Sequence, residues 1–366
     1  MRVTVINMAS VNNSCFEFSQ EELSQVTAAV VSVSALAVIA CAIAVILIIV
    51  LKLYKKFLNR LVLYLMVAAG SYSVAFILAI TPVYHSNGGV QVREGLDGLC
   101  AAFGFFNQMT EWIFHGTMAW VIVYLTLMAV FKYQADKPKH EVSGLVIILL
   151  LPLIINWIPF VNKMYGLSGI WCWIKLTNGD CHSDHTLGVV YHFTLYYGPF
   201  SILVFCSYVA FIAIVVVLCK ERAASGRERA ESFKREAHRQ ALKEALPLLA
   251  YPLIYNVFFT IMLANRVYHA IATSKDEDPI FPLFLAHAIV ESLRVLLVAL
   301  AFLLHPNILK KVFCKKPAAE FTATEFNVSA EFPGDDPLRI TGSVNTIAKD
   351  ASMFHGIFVQ ENAQAH

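Results

Sequence analysis

Two acids, two histidines and an arginine lie inside stretches that are otherwise apolar. Glu111 and His115 are four residues apart; His287, Glu291 and Arg294 follow at spacings of four and three. On a helix each set shares one face. Ionisable groups in apolar helices are costly to bury and usually turn toward a bundle interior. One chemistry is a polar network joining two helices, as the floor of a ligand pocket or as a switch. The bland alternative is a structural ion pair in which Glu291 neutralises Arg294. Asn107 and Gln108 precede Glu111, while His192, Tyr196 and Tyr197 could add polar groups from a third helix. His182, Asp184, His185 and His192 are metal-ligand types, but their spacing lacks the tighter pattern of genuine zinc sites. No metal and no cofactor is expected.

Those residues need long apolar helices to hold them. The chain is 58% hydrophobic and 15% charged, with mean hydropathy +0.62. Soluble domains have roughly 45–50% apolar and about 25% charged residues. A helix crosses the hydrocarbon core with about 20 apolar residues. Seven stretches qualify, roughly 25–51, 60–82, 100–130, 142–161, 187–219, 243–268 and 280–305. The fold class expected is an all-α membrane protein, a seven-transmembrane helix bundle with a short amphipathic eighth helix. Glu111 lies eleven residues past Cys100, about 16 Å deep at about 1.5 Å per residue. Glu291 lies twelve residues past Pro279, about 18 Å by the same rise. The two sets therefore sit at similar depth.

Lysine and arginine set the orientation. They crowd the 52–60, 131–141 and 220–243 loops and the stretch after the last span. The other side holds only Arg2, Arg93, Lys163, Lys175, Arg266 and Lys275. The N-terminus is expected outside and the C-terminus inside. MRVTVINMAS has no continuous apolar core, so the first span is expected to direct insertion. The organisation reads as a tail over 1–24, a bundle over 25–305, an amphipathic segment over 306–316 and a disordered polar tail over 317–366. A net charge of +2 is uninformative about nucleic acid, and no such partner is expected.

Cys15, Cys100, Cys172 and Cys181 fall on the outer side, where exposed thiols usually pair. Cys100–Cys172 is expected to tie a loop to the third helix, with Cys15–Cys181 the weaker pair. Asn12 begins an outer sequon. Pro199 interrupts the fifth helix, and Pro247 and Pro252 the sixth; each proline removes a backbone donor. Glu221–Ala245 is rich in helix formers and should extend helices five and six. In HPNILKKVFCKKP the apolar residues alternate with lysines, which suits a helix on the inner leaflet. Cys314 there is either a palmitoylation site or an unmodified thiol.

The run CAAFGFFNQMTEWIFHGTMAWVIVYLTLMAVF from Cys100, the loop YGLSGIWCWI (165–174) and YPLIYNVFFTIMLANRVY (251–268) resemble the cyclic-AMP-receptor-like group of G-protein-coupled receptors. The likeness covers about 25–315. That group is similar in turn to the secretin/adhesion branch, through Cys172-Trp173 and Tyr124-Leu125. Rhodopsin-like marks are missing: there is no Asp-Arg-Tyr ending helix three and no Asn-Pro-x-x-Tyr in helix seven. The resemblance implies a plasma-membrane receptor with an unknown extracellular ligand. It also implies a sixth helix that swings outward and a heterotrimeric G protein received by the inner loops. Arrestin-like proteins at the C-terminal tail would meet Thr322, Thr324, Ser329, Thr341, Ser343 and Thr346. The rivals are a small-molecule transporter and a membrane metallohydrolase; the absence of an internal repeat counts against many transporters. A retinal protein needs a lysine in helix seven, and 279–305 contains none.

Overall fold

The computed structural model describes residues 19–86, 89–132, 138–175, 186–224, 246–273 and 280–313. Asn12, Cys15, Cys181, His182, Asp184, His185, Cys314, the tail after it and most of Glu221–Ala245 lie outside these residues. The chain divides after Leu309 into units 1–309 and 310–366, and the first holds the helix bundle.

Seven helices of span length are described: α1 Gln20–Val50, α2 Phe57–Ile80, α3 Asp97–Ala129, α4 Pro138–Ile155, α5 over 186–224, α6 Ala250–Thr273 and α7 Phe281–Leu303. A short helix, α8, covers Pro306–Phe313. All but α6 are apolar enough by composition to cross a membrane. α6 is long enough but keeps Asn256, Asn265 and Arg266 buried, so its polar groups face protein and its hydropathy falls. The all-α expectation needs one amendment, because two hairpins cap one end of the bundle. β1 Val83–Ser86 pairs with β2 Gly89–Val92, and β3 Tyr165–Ser168 pairs with β4 Trp171–Ile174, both antiparallel.

α1 starts five residues before the apolar run. Ser19 Oγ accepts from the Glu22 amide at 3.2 Å, and Glu22 Oε2 accepts from the Ser19 amide at 2.9 Å. This capping box satisfies two orphan donors and sets the helix start. Along α1 the buried stripe is Val30, Ser34, Ala37, Cys41, Ala44 and Ile48, while Leu36, Ile39, Ile43 and Ile46 point out. Small residues inside let α1 approach α2 and α7 closely, and Ser34 Oγ meets Ser292 Oγ at 2.8 Å.

At the end away from the hairpins, Arg60 of α2 grips Glu141 of α4. Its Nε and Nη2 donate to the two carboxylate oxygens, each at 2.7 Å, and Tyr64 adds its hydroxyl at 2.6 Å. Such a two-pronged, charge-assisted contact fixes geometry as well as charge. The ring of Tyr64 stacks on Trp120 of α3, so three helices meet there.

α5 is built in three pieces: Thr186–His192, a π-helical turn Phe193–Tyr197, and Gly198–Ala224. The cause lies in Gly198 and Pro199. The Gly198 amide reaches back five residues to Phe193 O. A Cβ on residue 198 would sit 2.5 Å from that oxygen, so the close approach requires glycine. Pro199 has no N–H to offer Leu195 O. Trp112 of α3 donates its indole N–H to that carbonyl instead, at 3.1 Å. The wide turn presents both Tyr196 and Tyr197 to the interior, which an ideal helix would set about 100° apart.

Pro247 and Pro252 act at the start of α6 rather than within its length. Pro247 lies in the 3-10 turn Leu246–Leu249, and Pro252 in the first turn of the α-helix. There the missing N–H would have had no intrahelical partner.

Candidate functional site

One face of α3 builds the site from the capped end inward. Cys100 is disulfide-bonded to Cys172 of β4. One turn on, Gly104 lies against the backbone of Trp173; an added Cβ would come within 3.1–3.2 Å of it. One further turn on, Gln108 Oε1 accepts the indole N–H of Trp173. Next come Glu111 and His115, both buried. The helical repeat thus lays a covalent staple, a close backbone approach, a hydrogen bond and a carboxylate along a single line.

Hairpin β3–β4 is pressed into the bundle, and every residue of β4 is buried. Trp171 stacks on Phe284 of α7, with ring centroids 5.2 Å apart, and meets Phe76 of α2 at 5.5 Å. Tyr165 donates to Asn156 O at 2.9 Å. Burial pushes its phenol pKa up, so it stays a neutral donor. Lys175 follows β4, and partial burial lowers its pKa while Asp97 opposes the shift.

Beneath the hairpin the charged residues converge. Arg294 is fully buried, with Nη2 3.7 Å from Glu111 Oε1 and 3.9 Å from Glu291 Oε1. Its guanidinium lies over Phe114, Tyr255 and Tyr72 at 5.2, 5.7 and 5.9 Å. None of its nitrogens has a hydrogen-bond partner, so its attraction to the carboxylates is Coulombic. Glu291 Oε1 accepts the Tyr72 hydroxyl at 2.5 Å, and Glu111 Oε1 accepts that of Tyr196. His287 Nε2 stands 3.2 Å from Glu291 Oε2 without hydrogen-bond alignment. His115 Nε2 is 3.2 Å from the Tyr196 hydroxyl and 3.8 Å from Glu111. The polar groups of α3 and α7 therefore meet, joined by Tyr72 from α2 and Tyr196 from α5.

His192 stands apart from this cluster. Its Nε2 bonds Ile174 O at 2.8 Å and its ring lies 4.5 Å from that of Trp173, so it anchors the hairpin to α5. Sequence reasoning missed Tyr72, because one tyrosine in an apolar run carries no spacing signal. It also placed Arg266 among the outer-loop charges. Arg266 is a buried residue of α6, 6% exposed, with its guanidinium 5.5 Å from Trp171, 5.6 Å from Trp173 and 5.9 Å from Tyr197.

Between cluster and hairpin lies a small, tight pocket of about 10 Å³, lined by Phe76, Asn107, Glu111, Trp171, Trp173, Tyr196, Tyr197, Arg266 and Glu291. Among the described residues no three His, Cys, Asp or Glu side chains converge as metal ligands. Arg294 occupies the place beside Glu111 and Glu291 that a cation would otherwise take.

A seven-helix bundle with a pocket under a disulfide-held hairpin and a buried charge cluster below it has the architecture of a G-protein-coupled receptor. The crystal structure of squid rhodopsin shares the fold, with a TM-score of 0.58 over 81% of this chain and 87% of that one, at 14% identity. Curated protein sequences return no match. The family model described as slime mold cyclic AMP receptor matches residues 18–331, and the chain belongs to that family. It is accordingly a multi-pass plasma-membrane receptor that signals to a heterotrimeric G protein.

Proposed function

We propose that this receptor binds cyclic AMP, or a close cyclic nucleotide, in the pocket beneath hairpin β3–β4, and that the ligand selects a conformation able to engage the G protein. One observation carries the reading. The pocket places aromatic side chains (Trp171, Trp173) and ionisable groups (Glu111, Arg266, Glu291) together at one end of the bundle. Few precisely placed polar groups among aromatic walls are what small-molecule sites provide. As it stands the pocket has room for little more than one water molecule, so a nucleotide must move the hairpin or α6 outward to enter. That movement is where differential affinity for two states would arise.

In this reading the hairpin end and N-terminus are extracellular and the lysine-rich end is cytoplasmic. Residues 1–24, 25–305, 306–316 and 317–366 serve as tail, bundle, juxtamembrane helix and cytoplasmic tail. Asn12 carries glycan and Cys314 a palmitoyl group, and the tail recruits arrestin-like proteins. Glu111, His115, Tyr196, His287, Glu291 and Arg294 form the floor that senses the ligand, with His192 fixing the hairpin. The inner end of α6, entered through Pro247 and Pro252, swings outward, and the wide turn at Pro199 adjusts with it. The likeness to the secretin/adhesion branch rests on Cys172-Trp173 and Tyr124-Leu125, and here Cys172 and Trp173 both hold the hairpin to α3.

Guanine-nucleotide exchange on a panel of G proteins tests this, with purified receptor in lipid and with or without cyclic AMP. Ligand-stimulated exchange on at least one G protein is expected. Exchange that cyclic AMP leaves unchanged overturns the ligand assignment. Folded receptor that exchanges nucleotide on no G protein overturns the coupling and moves weight to transport, tested by uptake in proteoliposomes.

A further inference from the structure

Two polar atoms in the pocket wall are buried without partners. Arg266 Nε has no hydrogen bond, and neither has Asn107 Oδ1. Buried polar groups nearly always find partners, so each orphan needs a physical cause. The carboxylates of the same pocket are already engaged: Glu111 by Tyr196 and Arg294, Glu291 by Tyr72 and Arg294. Arg266 has no carboxylate within ion-pairing distance among the described residues. Three aromatic rings lie against its guanidinium.

A buried guanidinium whose Nε is unpartnered and which has no carboxylate partner among the described residues is costly unless something neutralises it. Aromatic faces supply only part of that attraction, about 0.5–2 kcal/mol each in known cases. Arg266 also presents the planar fork that matches phosphate oxygens, which a lysine would not. Trp171 and Trp173 line the pocket beside it and would have to shift for a ring system to stack there.

We propose that Arg266 is the anion subsite of this receptor and takes the phosphodiester of the bound cyclic nucleotide. The inference rests on the cyclic-nucleotide reading of the pocket. It adds a pole to it, with the phosphate held at α6 and the ring system directed toward α3 and Asn107. Arg266 then acts as a specificity residue, since an uncharged ligand leaves the guanidinium unpaired.

Equilibrium binding to receptor in lipid nanodiscs tests it, with cyclic AMP, its uncharged methyl phosphotriester and adenosine as probes. The wild type is expected to bind cyclic AMP at least about 30-fold more tightly than the triester, because losing one partner of a buried charge pair costs that much or more. Arg266→Gln should weaken cyclic AMP by a similar factor and leave triester and adenosine within about threefold, while Arg266→Lys recovers part of the loss. Equal binding of cyclic AMP and triester by the wild type overturns the proposal without recourse to any variant. So does a loss in Arg266→Gln that is the same for all three probes, which would make Arg266 a clamp for the hairpin only. Wild-type receptor that binds none of the three overturns the cyclic-nucleotide reading and the subsite with it. Failure of the subsite alone leaves cyclic AMP binding intact, so the two failures are distinguishable.

Discussion

Replacing Arg294 by Met removes the guanidinium between Glu111 and Glu291 while keeping a side chain of similar length. The guanidinium stands 3.7 and 3.9 Å from the two carboxylates in a fully buried setting. At an effective dielectric of about 20 each such contact is worth roughly 4 kcal/mol before desolvation. Removing it strands two buried acids, and breaking a buried pair in this way costs about 3–5 kcal/mol. Protonation of one acid limits the loss to that range. Against a total stability of about 5–15 kcal/mol the variant should express poorly and unfold at much lower denaturant. The triple variant Glu111→Gln, Glu291→Gln, Arg294→Met removes all three charges and should return to within about 1–2 kcal/mol of wild type. Denaturant unfolding in mixed micelles, followed by tryptophan fluorescence, measures both. A loss below about 1 kcal/mol for Arg294→Met, or a triple variant no more stable than the single, refutes the reasoning. Nucleotide exchange by the triple variant then decides between the two roles weighed for this cluster. Normal coupling makes it structural, and a stable but silent receptor makes it a switch.

Trp112→Phe should cost about 1–3 kcal/mol in the same unfolding assay, since Leu195 O loses its indole donor. Adding Pro199→Ala restores a backbone N–H at 199 and should recover part of that loss; no recovery would argue against the indole as surrogate donor. Gly104→Ala places a methyl group 3.1–3.2 Å from the Trp173 backbone. It should push the hairpin off α3 and weaken ligand binding at least about tenfold, while Gly98→Ala, which meets nothing within 4 Å, should leave binding unchanged. Cys172→Ser opens a loop closed across a sequence separation of 72 residues. Loop entropy puts its stabilisation at about 4 kcal/mol, and reductant should lower the melting temperature of wild type but not of this variant.

The spans were legible because an uninterrupted apolar run of about 20 residues suits few environments besides lipid. The equal depth of Glu111 and Glu291 was legible too, since helical rise turns sequence distance into depth. The start of α1 was written in Ser19-x-x-Glu22 but lay outside the apolar run that marked the span. The hairpins and the wide turn of α5 left no periodic signature. The turn arises from one glycine and one proline acting on a neighbouring helix, and only packing reveals Trp112 as their partner. Arg266 was misplaced because charge alone marks a loop as readily as a pocket. What separates the two is burial among aromatic rings, a property of the folded chain.

The hairpin is fastened unevenly. Toward α3 it is held by a disulfide, a close backbone approach and an indole hydrogen bond, and toward α5 by His192. Toward α2 and α7 it rests on ring contacts, Trp171 against Phe76, Phe284 and His287. It is therefore a door with its hinge on α3 and its latch on α7. Under the proposed function, ligand entry is expected on the latch side, and lifting the hairpin there would load the α3 line that ends in Glu111 and so couple admission to the pocket floor.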